Sequence, residues 1–94
     1  MDIIRAHLVE ATAGRERGKL FFVLQEDGDY LLLADGKSRR VEAPKRKKRK
    51  DVRFIAENGG RVAEKIKLSE HVTNSELRKS IAAFGGQDNS DQEG

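Results

Sequence analysis

The chain reads as a mainly β domain: five short strands forming a small barrel, then a C-terminal α-helix and a disordered acidic tail. Three observations predict this. Apolar and β-branched residues come in brief runs separated by glycine-containing pairs, a helix-start signature stands at residues 73–76, and the final residues are polar and lack apolar anchors. The 94 residues leave room for one core, and with 36% apolar and 37% charged residues that core must be modest. The predicted divisions are a barrel over 3–57 that includes a basic loop at 44–51, a connector over 58–72, the helix over 73–85 and the tail over 86–94.

Leu8 and Val9 lie in a first strand that ends near Thr12, and Ala13 to Gly18 interrupts it with two glycines as a loop. Lys19 to Glu26 is the strongest strand, because Leu20-Phe21-Phe22-Val23-Leu24 is rich in strand formers and too short for a helix. Asp27-Gly28-Asp29 supplies a turn, Tyr30 to Ala34 returns, and Asp35-Gly36 suits a tight hairpin. Arg39 to Glu42 is the expected fourth strand, and Val52 to Ala56 completes the set before Asn58-Gly59-Gly60 breaks the chain. Closure into a barrel pairs edges that would otherwise template aggregation.

Thr73-Asn74-Ser75-Glu76 has the spacing of a capping box, in which Thr73 serves the Glu76 amide and Glu76 reaches back. Leu77, Ile81 and Phe84 then recur at helical spacing until Gly85-Gly86 ends the pattern. So short a helix is marginal alone in water, so its apolar stripe docks either on the barrel or on a partner. Residues 61–71 carry no decisive pattern, and Gln87 onward is expected to be disordered.

The formal net charge of +3 hides an asymmetry. Asp88, Asp91 and Glu93 stand in a tail without a cation, so residues 1–86 carry 19 cations against 13 acids, or +6. From Lys37 to Lys50, nine cations oppose only Glu42. Such a field attracts polyanions: RNA, DNA or an anionic membrane. Membrane attachment has the least support, since no apolar stretch approaches bilayer-spanning length and the first ten residues lack the apolar segment of a signal peptide. The chain has no cysteine, so no disulfide framework or thiolate chemistry is expected, and a soluble cytoplasmic protein is the simplest expectation.

Two basic features are candidate binding elements. In Gly14-Arg15-Glu16-Arg17-Gly18-Lys19, glycines at both ends let the backbone take positive φ and approach a nucleic-acid backbone, within reach of Arg15, Arg17 and Lys19; equally, Gly18 can serve a turn while the charges are merely solvated. The run Lys45-Arg46-Lys47-Lys48-Arg49-Lys50 repels itself unless a polyanion neutralises it. It is read as a phosphate grip, against a solvated loop or a receptor-read targeting signal. Neutralising about six phosphates gives a slope of log affinity against log salt of about −4 to −5.

Other chemistry finds no constellation. Tyr30 and Phe21 are better suited to packing than to base stacking in so small a core. His7 and His71 have no ligand at metal spacing and suit surface or strand-edge positions. Ser69, Ser75 and Ser80 lack a nucleophile context, and the hexad lacks the closing Lys-Ser/Thr of a P-loop. No enzyme activity, metal, cofactor, small-molecule substrate or membrane partner is expected.

The hexad, preceded by Leu8-Val9 and followed by Leu20-Phe21-Phe22-Val23, resembles a KOW motif. With Tyr30 to Gly36, then Arg39-Arg40-Val41-Glu42-Ala43-Pro44-Lys45 and Thr73 to Lys79, it is similar to small bacterial KOW-domain proteins related to archaeal and eukaryotic large-subunit ribosomal proteins, over roughly Ile3 to Phe84. Arginines replace lysines in its loop, which preserves phosphate contact and favours bidentate geometry; Asp51 to Gly60 is assigned no role by the resemblance. The resemblance implies an SH3-like barrel that binds structured, ribosomal-type RNA. Its binding set would be Gly14, Arg15, Arg17, Gly18, Lys19, Lys37, Arg39, Arg40, Lys45, Arg46, Lys47, Lys48, Arg49 and Lys50. A different class of function is an adaptor that docks on ribosomal or transcription proteins, with the C-terminal helix carrying the contact through Leu77 and Phe84.

Overall fold

A computed structural model describes residues 2–57 and 60–85. The acidic tail expected at 86–94, and Asn58-Gly59 of the expected chain break, lie outside them. Five antiparallel strands form one sheet: β1 (Leu8–Ala11), β2 (Leu20–Asp27), β3 (Tyr30–Ala34), β4 (Lys45–Lys48) and β5 (Val52–Ala56), in the order β4-β3-β2-β1-β5. Two helices follow, α1 (Arg61–Lys67) and α2 (Asn74–Gly85).

The apolar run of β2 is continuous because the sheet is covered on both faces. Phe21 and Val23 join Val9, Ala11, Leu31, Leu33 and Val52 in one cluster, while Phe22 joins Leu8, Ala34 and the helical residues Val62, Ala63, Ile66 and Leu77 in the other. Alternation along each strand divides the two sets.

Sheet curvature follows from a short connection. β4 and β5 are opposite edges, and in a flat five-strand sheet they would lie about 19 Å apart at ~4.8 Å per strand. Only the three-residue 3-10 helix Arg49–Asp51 joins them, and at ~2 Å rise per residue it spans well under half of that. The sheet must therefore curl, helped by register shifts at Leu8/Val9 and Val23/Gln25. The Arg49 amide donates to Asp29 O (2.9 Å) and the Thr12 amide to Asp51 O (2.8 Å), which pins both ends of the connection. Among the described residues no β4–β5 ladder closes the sheet.

Two sequence expectations are corrected, and one undecided segment resolves. The fourth strand is not Arg39–Glu42 but Lys45–Lys48, inside the segment read as a basic loop. Like-charge repulsion hid it; pairing with β3 from Tyr30↔Lys48 to Leu33↔Lys45 outweighs that repulsion. Residues 35–44 instead form a loop organised by Asp35, whose carboxylate accepts from the amides of Lys37 (2.9 Å) and Arg39 (2.8 Å) and from the Ser38 hydroxyl (3.0 Å). The connector contains α1, which seats Val62, Ala63 and Ile66 on the sheet. His7 is buried rather than at the surface: its Nδ1 accepts from the Ile4 amide (3.1 Å) and its ring meets Phe54 edge-on at 5.0 Å.

The capping box forms as its spacing predicts: the Glu76 amide donates to Thr73 Oγ1 (3.1 Å) and the Thr73 amide donates to Glu76 Oε1 (2.9 Å). Lys65 of α1 adds an ion pair to Glu76 at 2.6 Å, tying the two helices together. Leu77 is fully buried in the core beneath α2 and Ile81 packs beside it, so this part of the apolar stripe docks on the sheet, whereas Phe84 is 40% exposed. The start of α2 also clamps the Asp35 loop. Asn74 Oδ1 accepts from the Val41 amide (2.8 Å), Arg78 donates to Gly36 O (2.7 Å), and a Cβ at Gly36, where φ is +79°, would stand 2.2 Å from Asn74 O.

Candidate nucleic-acid interface

The β1–β2 loop carries the hexad, and both of its glycines take positive φ, Gly14 at +80° and Gly18 at +89°. The Gly18 amide donates to Ala11 O (2.8 Å) and the Arg17 amide to Gly14 O (3.2 Å), which folds the loop into a tight turn. Arg15, Arg17 and Lys19 are exposed on it and Glu16 turns inward. Glu16 Oε2 accepts from Arg39 Nε at 3.1 Å and from Arg39 Nη2. With its side chain 8% exposed, Glu16 is held below the ordinary carboxylate range chiefly by the Arg39 hydrogen bond, against the opposing effect of burial and with help from the charges of Arg39 and Lys45. Arg39 is thus a staple between the hexad and the Asp35 loop.

The lysine-arginine run divides by strand alternation and by the 3-10 turn. Arg46 pairs with Asp27 at 3.1 Å and lays its guanidinium 3.7 Å over the Tyr30 ring. Arg49 donates to Ile3 O (2.6 Å), Gly28 O (2.7 Å) and Glu26 Oε1 (3.0 Å), uniting the N-terminal segment, the β2–β3 turn and β2. The Arg49 hydrogen bond also lowers the pKa of Glu26. Lys47 points inward and is 8% exposed. Lys45 is half-buried, and Lys48 and Lys50 are exposed.

Of the fourteen residues expected to bind, the structure leaves six cations exposed and without a protein acid or acceptor for their side chains among the described residues: Arg15, Arg17, Lys19, Lys37, Lys48 and Lys50. Arg40 is exposed beside Glu42 at 3.6 Å. Lys19 and Lys37 line a groove of about 510 Å³ whose far wall is Arg78, Ile81 and Ala82 of α2. Lys48 and Lys50 line a second hollow with Asp29, Tyr30 and Arg49. The β1–β2 loop touches residues of both segments, Lys47 beside Gly14 and Arg39 through Glu16.

Sequence reasoning missed Arg78, whose place beside Lys19 and Lys37 depends on how α2 crosses the Asp35 loop. It also missed the inward role of Glu16; the signal was present as the one acid in an otherwise basic hexad. Among the described residues no three His, Asp or Glu side chains converge as a metal site, and no helix is long and apolar enough to cross a membrane. No protein-family model matches the chain, and a search of curated proteins returns no match.

Proposed function

We propose that this chain is a non-enzymatic RNA-binding protein that grips the phosphate backbone of structured RNA, ribosomal RNA first among them. The carrying observation is the set of six exposed cations whose side chains form no ion pair among the described residues, contributed by the β1–β2 loop, the Asp35 loop and the β4 end. Counter-ion release from such a set gives salt-sensitive, sequence-tolerant affinity. Asp29 is the exposed acid beside Lys48 and Lys50, and it weakens that end of the surface relative to the hexad. Preference for RNA over DNA rests on the KOW resemblance, because backbone charge alone treats the two alike.

The fold is further inferred to be an SH3-like barrel of the KOW type. The strand order, the curled sheet and the one-turn return from β4 to β5 support that reading, as do the paired positive-φ glycines in the hexad. The adaptor reading loses an anchor, since Leu77 belongs to the core.

Titration of the intact chain with structured RNA and with duplex DNA over a salt series tests the proposal. Tighter binding of RNA with a steep salt dependence is the expected outcome; equal affinity for the two duplex types would reduce the reading to a general polyanion binder, and no binding would defeat it.

A further inference from the structure

Lys47 breaks the rule its neighbours follow. Its register opposite Leu31 puts its side chain on the sheet face that carries Leu31, Leu33 and Phe21. The residue is 8% exposed, yet no carboxylate or hydrogen-bond acceptor among the described residues meets its amine. A side chain buried to this extent gains no fold stability from an ammonium that has no counter-charge, and an apolar side chain of similar length would fill the same space. Fold stability therefore does not favour lysine at this position.

The amine reaches the turn of the hexad, 3.3 Å from where a Cβ on Gly14 would stand. The amides of Ala13, Gly14 and Arg15 donate to no acceptor among the described residues, whereas those of Arg17, Gly18 and Lys19 are all used within the chain. Successive free amides around a positive-φ residue make an anion-binding concavity. The Lys47 amine beside Gly14 and the exposed Arg15 of the same turn add cationic donors to those amides.

We propose that the Lys47 amine and the Gly14 turn seat one phosphodiester of the bound RNA, fixing the register of a strand that the exposed cations hold diffusely. This rests on the RNA-binding reading and adds one defined contact to it. Glycine at position 14 then has a double reason: its positive φ, and the absence of a side chain between the amine and the ligand.

Lys47→Met and Lys48→Met in the full chain remove the same charge from adjacent residues, so a purely diffuse grip predicts equal losses. The seat predicts that K47M weakens RNA binding about tenfold or more, as loss of a charge-assisted bond does, and that K48M weakens it about threefold or less. It also predicts a thermal midpoint for K47M equal to or above that of the parent. Equal losses, or lowered stability of K47M with RNA affinity retained, would overturn it. A measurement on the intact chain needs no variant: the Gly14 and Arg15 amide resonances are expected to shift with RNA and with inorganic phosphate. If they stay still while the Lys48 and Lys50 amides move with RNA, the seat is wrong and the RNA reading stands. An intact chain that binds no RNA at any salt overturns both, and is recognised before any variant is made.

Discussion

The hexad and the lysine-arginine run look alike as blocks of positive charge, but the fold uses them in opposite ways. In the hexad every cation points outward and the single acid turns in to meet Arg39. In the run, Arg46 and Arg49 are fastened to acids and carbonyls, Lys47 points inward, and among the described residues only Lys48 and Lys50 are both exposed and unpaired. Backbone conformation makes the difference. The glycine-bracketed turn sends one residue inward, Glu16, whereas a strand must present alternate residues to the core and its connecting turn must be anchored. Charge density in a sequence therefore overstates the charge a ligand can meet, most of all where the charges lie on a strand.

The division between structural and available cations is broken or sharpened by substitution. The largest effect is expected for Arg39→Ala, which leaves the buried Glu16 carboxylate without its partner; about 3 kcal/mol of unfolding free energy should be lost, read from urea denaturation. If R39A keeps full stability and loses only RNA affinity, Arg39 belongs with the binding cations and the division fails there. Arg49→Ala removes three hydrogen bonds that join separate segments, and a loss of about 2 kcal/mol is expected in the same assay.

Acid should act on the helical side of the molecule in a definite direction. The Lys65 ammonium, and then the Thr73 amide, hold the Glu76 carboxyl down at about 2 from an ordinary 4.5. A carboxyl depressed on folding stabilises the native state above its unfolded pKa, so this contribution is full above pH 4.5 and fades as pH falls toward 2. Glu16 and Glu26 are lowered too, and act in the same direction. Glu76→Gln should flatten part of the loss of thermal midpoint between neutral and acid pH; an unchanged acid profile would show that the capping carboxylate contributes nothing to it. The smallest stability effect is expected for Lys48→Gln with Lys50→Gln, within about 0.5 kcal/mol of the parent, although the pair should make the salt slope of RNA binding shallower by about 1.5.

Much of the fold was legible. β1, β2, β3 and β5 follow from their apolar runs and turn residues, and α2 from its capping box, because these signals are local. β4 was not legible: with no apolar residue in Lys45–Lys48, only its pairing with Leu31 and Leu33 makes it a strand, and that partner lies across a ten-residue loop. α1 was hidden for a related reason, since Val62, Ala63 and Ile66 gain their burial from a sheet that no local pattern announces. In the site, the outward cations and positive-φ glycines of the hexad could be read directly. The Glu16–Arg39 staple, the Gly36–Asn74 approach and the inward turn of Lys47 depend on tertiary contacts, which is why replacing residues 45–50 as a block would disturb folding along with binding.

The most direct test of the central claim is a structured-RNA titration across a salt series, run on the intact chain and on a variant with Arg15, Arg17, Lys19, Lys37, Lys48 and Lys50 all changed to glutamine. The expected result is a slope of about −4 to −5 for the intact chain, with binding nearly abolished in a variant whose thermal midpoint is preserved. A slope near zero for the intact chain, or undiminished RNA binding by the folded variant, would contradict it.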